Sequence, residues 1–190
     1  MTLYHLKGIF VFKDASFTAL VKEKHAVTNA LLIVFSVAVI ATSLGYLVQQ
    51  FIYVPLLEAF FPQVLEDMAF SALHTTVLQG VLVALAGTVV LAGVVLLSAR
   101  LLGAKTGSYK ELLIVFGHAY AIQIVSFIPL LLFPAWIYSV IVMIKGVSVV
   151  TDLSIGRSTA AYLLPLGVLV VLALVVGIIA GLLVAASVLS

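Results

Sequence analysis

Four long stretches of the chain contain no Asp, Glu, Lys or Arg: residues 25–57, 68–99, 112–144 and 158–190. A helix that crosses a membrane needs about 20 mostly apolar residues, because the hydrocarbon core is about 30 Å thick. Each stretch has 32 or 33 residues, and a helix of that length would extend roughly 50 Å. Each stretch therefore contains a span and an additional segment. The chain is predicted to be an all-α, polytopic integral membrane protein.

Composition excludes the other classes of protein. Apolar residues make up 65% of the chain and charged residues 8%, whereas an ordinary soluble domain has about 25% charged residues. The net charge of +2 is too small to indicate a nucleic-acid partner. Because the chain has no cysteine, disulfides and thiolate metal sites are excluded. We expect the lipid bilayer as the surroundings, and no nucleic acid, cofactor or metal.

Two prolines divide the third stretch. Pro129 and Pro134 lie in the segment FIPLLLFPAW, and a proline inside a helix removes a hydrogen bond and clashes with the preceding turn. We therefore predict a tight hairpin here and five spans in all, at about 26–47, 71–99, 111–128, 135–150 and 160–189. A four-span alternative would make 134–150 an interfacial helix.

The placement of positive charge favours five spans. With five spans and an inside N-terminus, all nine Lys and Arg residues lie on the inner side, as the positive-inside rule requires. With four spans, Lys145 and Arg157 would lie outside. We therefore expect the N-terminus inside and the C-terminus outside. Residues 1–25, in which lysines alternate with apolar side chains, are predicted to form an amphipathic helix on the inner face that covers the bundle. The alternative is a helix that docks a partner or senses curvature.

Small residues recur at every fourth position in two spans. The fifth span carries one such stripe and the second span another, so each helix has a smooth face that permits close packing. The simpler interpretation is packing between spans, and the alternative is a homodimer through the fifth span. The predicted packing or oligomer face consists of Ala173, Gly177, Gly181, Ala185, Gly80 and Ala84.

Polar residues in the membrane are expensive and are therefore candidates for function. Lys145 and Asp152 are seven residues apart, and His118 lies at a comparable depth on the other arm of the hairpin. These positions predict a polar vestibule that opens to the inside, with Arg157 near its mouth. It would be lined by His118, Tyr120, Lys145, Ser148, Asp152 and Arg157. The simpler interpretation is that Lys145 extends to the interface and that His118 makes a structural hydrogen bond.

No catalytic pattern is present. The sequence has no HExxH, no GxSxG and no phosphate-binding glycine loop. The acidic residues of the loop 48–70 match no metal-ligand spacing. We therefore expect no catalytic residues and no enzymatic activity.

Two short stretches resemble motifs of the Yip family, five-span membrane proteins named for interaction with Ypt/Rab GTPases. One opens the predicted third span and the other joins the fourth span to the fifth. The matching residues are Gly107, Ser108, Tyr109, Lys110, Glu111 and Leu112 in the first, and Leu153, Ser154, Gly156, Arg157 and Ala160 in the second. The resemblance covers roughly residues 10–185 and implies a cytosolic N-terminus.

The resemblance also implies a function class. Eukaryotic members take part in vesicle budding, Golgi organisation and Rab binding, but the long N-terminal region and acidic motif of those members do not occur in this sequence. The compact form is similar to prokaryotic members, which implies a prokaryotic plasma membrane. We expect a membrane scaffold or an accessory subunit of a membrane complex, with a membrane-protein partner or a homo-oligomer. The alternative is a small-molecule or ion transporter or channel that uses the vestibule.

Overall fold

The computed structural model describes residues 8–60, 73–165 and 167–168. These residues are helical and contain no strand, so the all-α prediction is confirmed for the described part. The helices are α1 (Asp14–Val21), α2 (Ala26–Val48), α3 (Val54–Phe60), α4 (Leu73–Leu101), α5 (Tyr109–Ala119), α6 (Pro129–Thr151) and α7 (155–165). A π-helical turn, Gln49–Tyr53, joins α2 to α3, and a 3₁₀ segment, Tyr120–Val125, follows α5.

Three helical segments in the described part are long and apolar enough to cross a membrane. They are Ala26–Tyr53, Thr76–Leu101 and Pro129–Thr151. The predicted third span is shorter as an α-helix, because α5 ends at Ala119. Together, α5 and the 3₁₀ segment would extend roughly 28 Å at the usual rise of each helix type. Most of the predicted fifth span, 160–189, lies outside the described residues.

The proline hairpin turns earlier than the sequence indicated. Residues 126–128 form the turn, and α6 begins at Pro129 rather than at 135. Pro129 occupies the first turn, where its missing N–H has no partner in the helix anyway. Pro134 lies inside the helix. Its missing N–H leaves free the carbonyl of Leu130, a residue that is 84% exposed, so the lost bond falls on the surface of α6 rather than in its packed interior.

Helix α5 is the centre of the bundle. Every residue from Leu112 to Ala119 is buried, and α5 packs against α1, α2, α4 and α6. A helix that is apolar all round has no face to present to solvent and belongs in a core. Gly117 brings α5 against α2, since a Cβ at this position would lie 2.9 Å from the carbonyl oxygen of Ala30.

Helix α1 is part of the same core. Phe17 and Leu20 are fully buried, and α1 contacts α5 and α6. Gly146 of α6 makes room for this contact, because a Cβ there would meet the side chains of Val115 and Phe17. The N-terminal segment therefore packs onto the helices through its apolar side chains. Residues 1–7 of the predicted amphipathic segment lie outside the described residues.

Candidate functional site

The described Lys and Arg residues gather at one end of the bundle, which we call the basic end. The loop 102–108 and the turn 152–154 meet there, and the Thr106 hydroxyl donates to the carbonyl of Val150 at 3.4 Å. Helix α1 lies against the same end of α5 and α6, since Thr18 and Glu111 line one cavity with Val150. The basic end carries Lys13, Lys22, Lys24, Arg100, Lys105, Lys110, Lys145 and Arg157.

Lys145 is paired with the N-terminal helix. Its Nζ lies 2.7 Å from Oδ1 of Asp14, and the two side chains are 25% and 65% exposed. The sequence pointed to His118 and Asp152 as its neighbours in the vestibule, whereas the structure gives it a carboxylate from α1. The pair ties α1 to α6 at the basic end. Next to it, the Tyr138 hydroxyl donates to the carbonyl of Phe10, and the rings of Tyr138 and Phe12 meet edge to face.

The Lys145–Asp14 pair gives a testable coupling. Because Asp14 is largely exposed, we expect a coupling free energy of about 0.5–1 kcal/mol in a double-mutant cycle of Lys145→Gln and Asp14→Asn. The measurement is the free energy of unfolding in detergent. Asp152→Asn is the matched control and should add independently to Lys145→Gln. Coupling of Lys145 to Asp152 rather than to Asp14 would contradict the observed pairing and support the vestibule.

The deeper polar residues make their hydrogen bonds mainly within their own segments. His118 is fully buried, and its Nδ1 lies 2.7 Å from the carbonyl oxygen of Ile114, one turn earlier in α5. Its Nε2 is buried without a hydrogen-bond partner among the described residues. The Ser148 hydroxyl donates to the carbonyl of Leu153 at 2.7 Å. Tyr120 lines a cavity of about 410 Å³ between α4, α5 and α6. These contacts stabilise the helices and the turn that follows α6.

The six vestibule residues are distributed over several places. Tyr120 lines the cavity between the helices, Lys145 lines a second cavity of about 300 Å³ beside Phe12, and Asp152 and Arg157 line a third cavity at the basic end. His118 lies within the core. A single vestibule that contains all six therefore stays a prediction.

The loop 102–108 is held rigidly. The Arg100 guanidinium donates to the carbonyls of Ala104 and Gly107, at 3.0 and 2.6 Å. Gly107 has φ +83°, and a Cβ there would lie 3.1 Å from the carbonyl oxygen of Val150, so glycine allows both the turn and the close approach. Ser108 and Glu111 then form a capping box at the start of α5.

Two of these features were missed by the sequence reasoning. The Ser-x-x-Glu spacing of Ser108 and Glu111 is a sequence signature of a helix start, and it lies within the stretch that resembles the family motif. No local pattern in the sequence predicts Asp14 as the partner of Lys145, since the two residues lie in different helices. The available signal was that Lys145 lacks an acidic residue three or four positions away in its own helix.

The predicted packing face of the second span lies on α4 against α2. A Cβ at Gly80 would meet the side chain of Thr42, and Ala84 joins a buried cluster with Val34 and Ala38. The positions predicted in the fifth span, Ala173, Gly177, Gly181 and Ala185, lie outside the described residues. Within the described part, no group of three or more His, Asp or Glu residues is arranged to hold a metal.

Comparison with protein families identifies the chain. Residues 7–189 match the family model described as the Yip1 domain. The chain belongs to the Yip1-domain family. The resemblance seen in the sequence is therefore confirmed, and with its long apolar helices this Yip1 domain is a multi-pass protein of the lipid bilayer. Comparison with curated proteins and with solved structures gives no match.

The two stretches that carried the family resemblance build the basic end of this Yip1 domain. Residues 107–112 supply the capping box and the start of α5. Residues 153–160 supply the turn after α6 and the start of α7. The segments are linked where Thr106, just before the first stretch, donates to Val150, just before the second. The basic end is therefore the part of this Yip1 domain where its characteristic sequence and its positive charge coincide.

Proposed function

We propose that this Yip1-domain protein is a non-enzymatic membrane scaffold or accessory subunit that docks a partner at its basic end. The observation that carries the proposal is the packing of α1 onto the bundle. Phe17 and Leu20 fix the helix in the core, and the Lys145–Asp14 pair fixes its start. Lys13, Lys22 and Lys24 flank this helix and remain exposed, and the packing of the helix restricts the positions of their backbone.

This arrangement favours an acidic protein surface as the partner. Cations that are already held in place lose less conformational entropy on binding than cations on a free tail. Complementary charge also accelerates encounter and selects among partners. The family supports a membrane setting, and the resemblance to compact members supports a prokaryotic plasma membrane.

We also propose five spans with a cytoplasmic N-terminus. The 3₁₀ segment extends α5 to roughly the thickness of the hydrocarbon core, and α7 continues away from the basic end. The collection of positive charge at one end agrees with the positive-inside rule.

A pull-down from native membranes in mild detergent tests the docking function. We expect a membrane protein to be recovered in stoichiometric amount with the wild type and to be lost when Lys13, Lys22 and Lys24 are all changed to Gln. Changing the same three residues to Arg is the matched control and should retain the partner. A solitary protein that crosslinks to nothing in its native membrane would refute the scaffold.

Single-cysteine labelling tests the topology, because the chain has no cysteine of its own. His25→Cys reports on the basic end, and Leu130→Cys reports on the opposite end. With a membrane-impermeant maleimide on intact cells, we expect labelling at position 130 and protection at position 25. The reverse pattern would show that the N-terminus is outside.

A further inference from the structure

A cavity of about 440 Å³ opens at the basic end between the loop 102–108 and the start of α7. Two cationic side chains, Lys105 and Arg157, line it together with the hydroxyl-bearing Thr106 and Ser154. One carboxylate, that of Asp152, also lines it. The cavity is much larger than the roughly 30 Å³ that one water molecule occupies in the liquid, so it has room for a polar group of several heavy atoms.

The two cations lack a counter-ion in the part of the chain that the structure describes. Lys145 is neutralised by Asp14, and Arg100 donates to two loop carbonyls. Among the described residues, neither Lys105 nor Arg157 has such a partner, even though Asp152 lines the same cavity. Two unpaired cations that share one cavity form a site for an oxyanion, and the planar fork of Arg157 suits bidentate binding of phosphate.

The start of α7 supplies further donors. The first backbone hydrogen bond of this helix runs from Ser158 N–H to the Ser154 carbonyl at 2.9 Å, so the preceding N–H groups have no acceptor within the helix. In addition, the Ser158 hydroxyl is fully buried and has no partner among the described residues. Ser158 lies one turn after Ser154, beneath the surface of α7 and outside the set of residues that line the cavity.

The two helix starts at the basic end differ in one position. At α5, the residue three positions after the capping serine is Glu111, which closes a capping box with Ser108. At α7, the residue three positions after Ser154 is Arg157. A carboxylate in the first turn stabilises a helix, whereas a cation there is unfavourable unless an anion is close. The start of α5 is therefore capped by a carboxylate of its own first turn, whereas the first turn of α7 carries a cation at the corresponding position.

From the cavity, the two unpaired cations that line it and the free N–H groups at the start of α7, we propose that this site binds a phosphate group. The ligand is the head group of an anionic lipid or a soluble phosphate compound, since both present the same oxygens. Lys105 and Arg157 would bind the oxygens, and Asp152 would oppose the bound charge and limit affinity. This inference goes beyond the scaffold function: the site lies at the same basic end, but it is formed by the loop 102–108 and the start of α7 rather than by the lysines beside α1, and its ligand is a phosphate group rather than a protein surface.

The test uses the full chain in lipid nanodiscs and in detergent. Retention of phosphatidylglycerol is measured by native mass spectrometry, with phosphatidylcholine as the zwitterionic reference and inorganic phosphate as the soluble probe. We expect Lys105→Gln with Arg157→Gln to weaken binding of the anionic probe by about tenfold or more, because two charge-assisted contacts are lost. Lys110→Gln is the matched control, since Lys110 is an exposed cation at the same end outside the cavity, and it should change binding less than about twofold.

A second variant, which should bind the anionic probe more tightly, distinguishes loss of the site from misfolding of the protein. Asp152→Asn removes the opposing charge, and asparagine tolerates the left-handed conformation found at Asp152 (φ +56°). We expect this variant to bind the anionic probe several times more tightly. Competition by inorganic phosphate would identify a soluble ligand, and retention of phosphatidylglycerol without competition would identify a lipid. Equal losses in the double variant and in Lys110→Gln, or no gain in Asp152→Asn, would overturn the proposal.

Discussion

Gly117→Ala is expected to destabilise the protein by about 2–3 kcal/mol, which is typical of overpacking in a dense core. The added methyl would lie 2.7 Å from Cβ and 2.9 Å from the carbonyl oxygen of Ala30. Backbone atoms of a packed helix cannot rotate away as a side chain can. The helices α2 and α5 must therefore separate. The measurement is the free energy of unfolding in mixed micelles.

Gly45→Ala is the matched control for Gly117→Ala. Gly45 also lies within a helix, but a Cβ there would meet nothing within 4 Å. Alanine loses less backbone entropy than glycine on helix formation, so this change should stabilise the protein by about 0.5–1 kcal/mol. Effects of the same sign and size at the two glycines would show that the close approach of α2 and α5 does not determine stability.

Phe17→Ala is expected to release the N-terminal helix, with a cost of about 3–5 kcal/mol for a fully buried phenylalanine. Phe17 lies in the main core cluster, and a Cβ at Gly146 would lie 3.2 Å from its ring. Its removal leaves a void beneath α1 that α5 and α6 cannot fill without moving. Amide hydrogen exchange of residues 8–21 should increase strongly, while exchange in α5 should change less.

Phe35→Ala is the control for the loss of a phenylalanine ring. Phe35 is 48% exposed on α2, where lipid chains replace the contacts of the missing ring. We expect little change in the exchange of residues 8–21. Unchanged exchange of this segment in Phe17→Ala would mean that the Lys145–Asp14 pair and the Tyr138 contact alone hold α1 in place.

The positions of the helices could be predicted well wherever a single property of the sequence, such as the absence of charge, determined them. The absence of charge located α2 and α4 to within a few residues of their ends, because charge is excluded from hydrocarbon. The uneven distribution of Lys and Arg anticipated the basic end. The prolines predicted a hairpin before α6, although Pro134 placed the predicted start of this helix six residues too late. The capping signal of Ser108 and Glu111 is also present in the sequence but did not enter the prediction.

The candidate site could be predicted only in part, because its contacts are made between distant segments. The pairing of Lys145 with Asp14 depends on where α1 docks, which no local pattern encodes. The sequence does not single out Gly117 or Gly146, because each is an isolated glycine outside the repeats of small residues at every fourth position. A single close approach needs only one small residue, and this leaves no periodic signal.

The position of α1 has a consequence for biogenesis. Helix α1 packs against α5 and α6, and the ribosome synthesises both of these helices well after α1. Because chains emerge from the ribosome N-terminus first, the segment made first cannot pack until α5 and α6 have been synthesised. In contrast, two of the helices that pack against α5, namely α2 and α4, have already been synthesised when α5 emerges. Until α6 is in place, the apolar side chains of α1 therefore lack the partners that bury them in the folded protein.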